Sequence, residues 1–466
     1  MKTETASERR IFPRNPVKIP GKLTFEKGRV GRGILEGTVL DVGIGGARLL
    51  VSVPGAPLSG SGMSLQLGPL NGHRAATVTG RLAWSNAASG AHGVEFSRLD
   101  DISLEELKPF LWPSSDLIRS AVEACLKFAP EEGQEKRVRA FFEGDVKGFL
   151  SGQMNAVRAL LAREIERVSG QKEIDFHFDR IADIGDELDQ FLAGKLAGIE
   201  IKKAFRDLIG PWVYKSRIIR LAYEKPRGYP GDYEMLEFIY NDRTVTPGAG
   251  KYLDRYFLNN GYAEAVRQRK NKMAEIIARR LEAASVPVRV LDIACGSCRE
   301  ILDILGSRTP LAGRLDLTIL DQDTEAVDFS ERRLKKVAPS LRIQCVKQDV
   351  LNLLKPEAVA PYPFLKNQDL VYSIGLADYF PDRILMKFIR GCMDLLSPIG
   401  EFVLAHKDRD ADHHSPLLPD WFCDWKFYPR NEWKVGELIR AASPGAAIEA
   451  ERDLSKRIIF FRIKRR

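Results

Sequence analysis

Three carboxylates end three short apolar runs in the second half of this chain, and their order and spacing suit a nucleoside. Val288-Arg-Val-Leu-Asp292 closes on the first, and the small-residue loop Ile293-Ala-Cys-Gly296-Ser-Cys-Arg-Glu300 follows it and opens a helix. Small residues let the backbone come close to a bound ligand. Leu315-Asp-Leu-Thr-Ile-Leu-Asp321 closes on the second, one helix later, where a ribose diol expects a carboxylate acceptor. Leu341-Arg-Ile-Gln-Cys-Val-Lys-Gln-Asp349 supplies the third, able to accept from an adenine amino group. A tight strand-to-helix turn is the plain alternative for the loop alone; three spaced acids argue against it. Cys295-Gly-Ser-Cys298 reads as a redox pair or half a zinc site, but no second pair exists to complete a tetrahedral shell, so no metal is expected.

Together these segments resemble motifs I, II and III of the class I S-adenosylmethionine-dependent methyltransferases. The resemblance implies S-adenosyl-L-methionine as cofactor, with Asp292, Ala294, Gly296, Asp321, Asp349 and Ser373 as its binding residues. Motif I departs from the family, since the usual three glycines are Ala294, Gly296 and Cys298 here, which narrows the loop. Gln368-Asp-Leu-Val-Tyr-Ser373 leads into Ile374-Gly-Leu-Ala-Asp-Tyr-Phe-Pro381, where such enzymes place groups beside the sulfonium. Neither the [DN]-P-P-[YF] of nucleic-acid amino-methyltransferases nor the Pro-Cys of cytosine-C5 enzymes is present, which argues against a nucleic acid polymer as partner.

Upstream, Glu224-Lys-Pro-Arg-Gly-Tyr-Pro-Gly-Asp-Tyr-Glu-Met-Leu236 reads either as a plain helix-entry loop capped by Asp232 or, taken with Gly375-Leu-Ala-Asp-Tyr-Phe380, as part of a site. From Tyr214 to Arg466 the chain looks like proteins that make a 3-hydroxypalmitic acid methyl ester, which implies methylation of the carboxylate of a 3-hydroxy fatty acid. A carboxylate is already a nucleophile, so catalysis there would be alignment and exclusion of water. Tyr229, Tyr233 and Tyr379 are the candidate lid or substrate-orienting groups, against half-buried packing as the alternative, and Arg267 or Arg269 could hold a carboxylate. His406-Lys-Asp-Arg-Asp-Ala-Asp-His-His414 lacks the spacing of a ligand helix and reads as a polar loop. Trp421, Trp425 and Trp433 are expected to pack that loop over the sheet edge or to line an apolar acyl pocket.

The elements that must hold these residues come from periodicity. At 466 residues, two or three domains are expected. Apolar content of 44% and charged content of 29% are those of a soluble globular protein; no apolar run is long enough for a membrane span, and Met1 to Arg14 is unlike a signal peptide, so the expected location is cytoplasmic. Six scattered cysteines agree with a reducing compartment. Strands and helices alternate from Val288, with strands ending at Asp292, Asp321 and Val346, then Asp369 to Ile374, Glu401 to Ala405 and an antiparallel Lys456 to Ile463. Leu150, Met154, Val157, Leu161, Ile165 and Val168 mark one helix face, and Ile181, Ile184, Leu188, Phe191 and Leu192 another. These helices should pack as a bundle, since heptads are not sustained.

Residues 9–97 alternate short β-type runs with glycine and proline punctuation, as in a small barrel or sandwich. Residues 1–100 hold 13 Lys+Arg against 7 Asp+Glu, a net 13 − 7 = +6, so most of the chain's +8 excess lies there and suggests an anionic partner, with a solvated basic face as the alternative. Arg10-Ile-Phe-Pro-Arg14 and Asp41-Val-Gly-Ile-Gly-Gly46, continued through Arg81 to Trp84 and Gly93 to Phe96, resemble the PilZ signature R-x-x-x-R and [DN]-x-S-x-x-G. That resemblance implies cyclic di-GMP bound by Arg10, Arg14, Asp41, Gly43 and Gly46, with Gly43 standing where the family has serine.

The expected architecture is therefore multidomain: a PilZ-like β-barrel at 1–101, a helical region at 102–245, and at 246–466 an α/β Rossmann-like methyltransferase with a mostly parallel seven-stranded sheet. Its function would be methyl transfer under cyclic di-GMP control. A non-catalytic interaction platform, or an enzyme acting on a protein or small-metabolite acceptor, are the alternatives.

Overall fold

The computed structural model describes residues 12–26, 32–51, 62–69, 74–86, 88–97, 99–107, 109–112, 115–129, 131–192, 196–352, 359–411 and 417–465. Arg10 lies outside the described residues, as do His413 and His414. By contact density the chain forms two compact units. One comprises Met1–Arg220, Val245–Tyr256 and Ser415–Cys423, the other Leu221–Thr244, Phe257–His414 and Asp424–Arg466.

In the first unit, β1 (Asn15–Glu26), β2 (Arg32–Gly43), β3 (Gly46–Val51), β4 (Met63–Leu67), β5 (Ala76–Asn86) and β6 (Ala91–Phe96) close a barrel in the order β1-β2-β3-β6-β5-β4, every pairing antiparallel. Alternation drives it: Met63, Leu65 and Leu67 of β4 and Ala76 and Val78 of β5 point inward, while Thr77, Thr79 and Arg81 face out. Period-two burial of this kind fixes strand register. Helices Lys147–Leu161, Arg167–Phe191 and Leu196–Val213 follow. The apolar face expected to run from Leu150 to Val168 is broken between two of them. The chain turns through Arg163 at a left-handed φ of 59°, and Val168 is 68% exposed on the next helix.

The second unit is built on β7 (Val288–Ile293), β8 (Leu315–Asp321), β9 (Arg342–Lys347), β10 (Gln368–Ser373), β11 (Leu396–Lys407), β12 (Ala447–Arg452) and β13 (Ile458–Lys464), in the order β12-β13-β11-β10-β7-β8-β9. Neighbours from β11 to β9 are parallel, and β13 runs antiparallel to both β11 and β12. Edge strand β12 was not among the expected strands. None of its residues is buried, so it carries no apolar alternation to read. Both faces of the sheet are covered. Val288, Val290, Leu317, Ile319, Leu370 and Val403 pack under helices Gly261–Ala283, Arg299–Ser307 and Thr324–Val337, and Leu291, Leu320, Val371, Phe402 and Leu404 under Asp382–Asp394 and Glu432–Ala442. From β7 the chain steps outward to β8 and β9, then returns to start β10 on the other side. The crevice beyond the carboxyl ends of β7 and β10 is thus where strand order reverses, the place an open α/β sheet offers a ligand.

Candidate active site

Asp292 ends β7 opposite Ile319 of β8 and Tyr372 of β10, and the loop after it crosses toward β8. The amides of Ala294 and Cys295 donate to the Leu320 carbonyl at 2.8 and 3.1 Å, and that of Gly296 to Asp321 Oδ2 at 2.9 Å. The Ser330 hydroxyl closes the loop from the neighbouring helix by donating to the Gly296 carbonyl at 2.9 Å. Ala294, Gly296 and Cys298 all adopt left-handed backbone, with φ of 61°, 51° and 47°. The loop thus keeps a glycine-like path at the two positions where side chains replace glycine, a strain of order 1 kcal/mol each.

The three strand-end acids have different surroundings. Asp321 is 6% exposed; burial raises its pKa, and the amides of Asp323 and Gly296 pull the other way. The Gln348 amide donates to the Asp321 carbonyl at 3.0 Å, which brings the start of the Asp349 turn alongside β8. Asp349 is half-buried and accepts from the Leu351 amide at 2.8 Å. Asp292 belongs to a buried cluster with Cys298, Glu300 and Tyr372, whose hydroxyl donates to Glu300 Oε1 at 2.7 Å. Burial and the nearby Glu300 charge raise the Asp292 pKa well above 3.8. Ligand atoms of Asp292, Cys298 and Glu300 lie within 4.8 Å of one another, and both thiols of the C-x-x-C are free, buried and raised in pKa. Asp292 Oδ2, Ser297 Oγ and Ser373 Oγ are buried without a hydrogen-bond partner. Buried polar groups are nearly always paired, so three unmatched atoms at one crevice suit a polar ligand.

Segment 224–236 lies at the same crevice. Asp232 caps the helix Tyr233–Tyr240 by accepting from the Met235 amide at 2.9 Å, and Arg227 donates to Asp323 at 3.2 Å, Glu325 at 2.9 Å and the Tyr233 hydroxyl at 3.2 Å. Tyr229 donates to Asp323 Oδ2 at 3.3 Å, and burial followed by the Asp321 charge raises its pKa. Tyr233 stacks at a tilt on Phe329 beneath the Arg227 guanidinium. Tyr379 accepts from Trp425 Nε1 at 2.8 Å. The segment is therefore both a capped helix entry and a layer tied to the residue two positions past Asp321.

Residues 215–407 match a family model described as "Putative methyltransferase", and residues 8–111 match that of the PilZ domain. Residues 8–111 are thus PilZ-like and residues 215–407 methyltransferase-like. An Escherichia coli (strain K12) protein named "Uncharacterized protein YnbC" is 26% identical over 170 residues, which are 35% of this chain and 28% of that relative's length. The matched part therefore spans less than a third of the relative. Among solved structures, a possible exported protein from Bordetella parapertussis shares 18% identity at a TM-score of 0.43, over 75% of this chain and 96% of its own. Magnesium protoporphyrin IX methyltransferase from Synechocystis PCC 6803 with bound SAM shares 14% at 0.33, over 48% and 88%. Likenesses this distant carry no weight for the reaction.

In the PilZ domain, Arg14 Nη1 donates to Asp41 at 3.0 Å, and Arg48 stands 2.9 Å from the other carboxylate oxygen. A Cβ on Gly43 would come within 2.3 Å of the Pro13 carbonyl, so the Arg14 segment occupies the space a serine side chain would need. Gly46, at φ 153°, would bring a Cβ within 2.2 Å of the Val94 carbonyl and 3.1 Å of Arg14 Nη2.

On the methyltransferase domain, the structure separates the candidate arginines. Arg267 donates to the Leu258 carbonyl at 3.0 Å, whereas Arg269 is 7% exposed with its Nε unpartnered and its guanidinium against Gly375. The three tryptophans do not act as one layer: Trp421 is buried against Phe141 and Phe205 in the first unit, Trp425 meets Tyr379, and Trp433 is 66% exposed. His406 is tied to Asp378 at 3.3 Å and to Arg430. Lys407, the last residue of β11, was not among the expected site residues. Its Nζ lies 3.1 Å from the Phe427 ring centroid, 5.4 Å from that of Tyr262 and 5.9 Å from that of Trp425. The available signal was its position, since parallel strands end toward the ligand crevice.

Proposed function

We propose that this chain transfers a methyl group from S-adenosylmethionine to an acceptor and that its PilZ domain binds cyclic di-GMP to regulate that transfer. The observation that carries the first part is Asp321, a buried strand-end carboxylate already bonded to the Gly296 amide of the motif I loop. In this reading Asp321 accepts from the ribose, Asp349 from the adenine amino group, and Asp292, Ala294, Gly296 and Ser373 line the methionyl side; the unmatched atoms at Asp292, Ser297 and Ser373 fit such a ligand. The cofactor would supply an electrophilic methyl on sulfur. Arg227, Tyr229 and Tyr233 would hold the 224–236 layer over the crevice and keep water out, and Tyr379 with Trp425 would orient the acceptor.

For the acceptor, the carboxylate of a 3-hydroxy fatty acid is the reading favoured by the sequence resemblance, and aromatic walls at Tyr262, Tyr379, Trp425 and Phe427 suit an apolar molecule. For the PilZ domain, Arg14 with Arg10 would clamp the phosphates and guanine edges, Asp41 would accept from a guanine, and Gly43 and Gly46 would allow the close approach. Among the described residues no helix is long and apolar enough to cross a membrane; a cytoplasmic setting is supported by six free thiols.

Calorimetric titration with S-adenosylhomocysteine tests the cofactor site. Binding is expected in the intact chain and its loss in Asp321→Ala. No heat at high protein concentration would overturn the reading.

A further inference from the structure

Lys407 is an unusual lysine. It ends β11, next to the strand whose terminal loop carries Gly375 and Asp378, and its amine faces three aromatic rings. Tyr262 and Phe427 are stacked at 6.4 Å and 13°, Trp425 and Phe427 are tilted at 5.5 Å, and Tyr379 leans on Phe427 at 5.5 Å. All of these residues, and Lys407 itself, are half-buried and keep an edge open to solvent, through which an incoming molecule can reach them. Behind them, Asp378 accepts from the Lys407 amide at 2.9 Å, His406 lies 3.3 Å from Asp378, and Arg269 sits against Gly375.

We propose that Lys407 is a catalytic base for acceptors that react at an aromatic hydroxyl, a phenol whose ring lies on those of Tyr262, Trp425 and Phe427. The inference rests on the S-adenosylmethionine reading and goes beyond it by adding a class of acceptor. A carboxylate needs no base and would leave Lys407 unused. An aliphatic alcohol is about as weak an acid as water, far too weak for a base near neutrality to deprotonate, whereas a phenol titrates at about 10. Burial pushes the Lys407 ammonium down to about 7; Asp378 opposes the shift and Arg269 adds to it. A base poised near neutrality is matched to a phenol; the aromatic faces around the amine favour its protonated form and so act in the same sense as Asp378, against the burial. The Arg269 charge favours the developing phenolate oxygen.

The step balances. The phenol O–H bond breaks with its proton going to Lys407 Nζ, the oxygen–carbon bond forms as the carbon–sulfur bond breaks, and the electron pair stays on sulfur. An aryl methyl ether and S-adenosylhomocysteine leave, and the ammonium returns its proton to water.

The test uses the full chain with methyl-labelled S-adenosylmethionine and three probes: 4-phenylphenol, pentafluorophenol, which is ionised at neutral pH, and palmitate. With 4-phenylphenol, kcat/KM should climb about tenfold per pH unit below 7 and level off above it. Lys407→Met should cut that rate by about a hundredfold or more and flatten the profile, while sparing pentafluorophenol. Lys407→Arg, which keeps the charge but not the base, should fail as Met does; a merely structural lysine would be rescued by it. S-adenosylhomocysteine affinity within about twofold of the parent shows that each variant is folded. If neither phenol is methylated, or Lys407→Met keeps the rising profile, the proposal falls; methylation of palmitate alone would leave the parent reading standing. Absence of S-adenosylhomocysteine binding would take both down.

Discussion

Among the residues at the crevice, Asp292 makes the plainest claim on pH. It is fully enclosed with Glu300, and burial and that neighbouring charge hold its proton on well above the ordinary 3.8, with Glu300 raised as well. A carboxyl that binds its proton more tightly folded than unfolded lends stability that is complete below 3.8 and is lost as pH rises through the raised native value. The pair titrates as a unit, so the loss belongs to both groups. Asp292→Asn removes one of the two ionisations and supplies a neutral amide. Urea unfolding should therefore show Asn gaining on the parent steadily from acid toward pH 8, with the difference vanishing below 3.8. A difference that shrinks as pH rises would mean that Asp292 is ionised and satisfied in the fold. Cofactor affinity should move the opposite way if Asp292 Oδ2 is held in reserve for a ligand.

At the scale of elements, the helix Tyr233–Tyr240 is the short piece on which the 224–236 layer depends. Eight residues are too few for a helix to be stable from propensity alone, so its cap and its packing must hold it. Asp232→Ala deletes the bond to the Met235 amide and should cost about 1 kcal/mol in urea unfolding, with faster amide exchange confined to this helix and the Arg227 turn; unchanged exchange there would show the cap to be idle. This cap was legible from Gly-Asp ahead of an apolar run, as were the six barrel strands and the parallel strands, because each carries its own period and its own punctuation. β12 was not, since an edge strand with no buried side chain has no pattern to display. Nor was the surrounding of Lys407. Tyr262 and Arg269 come from the helix before β7, Lys407 from the end of β11, and Trp425 and Phe427 from a loop beyond it, and each is ordinary in its own stretch of sequence. Only the sheet's crossing order brings them together.

At the scale of the whole molecule, the question is whether the PilZ domain and the methyltransferase domain exchange free energy. Arg14 is paired with Asp41, which Arg48 also approaches, so a cyclic dinucleotide must compete for a guanidinium that the barrel's own carboxylate engages. Any rearrangement this forces is the means by which binding could bias a second site. Linkage then makes a strict demand: if cyclic di-GMP changes the affinity for S-adenosylhomocysteine by some factor, S-adenosylhomocysteine must change the affinity for cyclic di-GMP by the same factor, and couplings of this kind run from about 5-fold to 150-fold. Calorimetry of each ligand with and without the other, in the full chain, measures both legs of the cycle. Equal factors within that range are expected, and Arg14→Ala should abolish cyclic di-GMP binding while leaving S-adenosylhomocysteine affinity as it is without the nucleotide. Two tight but mutually indifferent ligands would mean that the domains share a chain and no equilibrium, because a ligand with equal affinity for every arrangement of the protein shifts none of them.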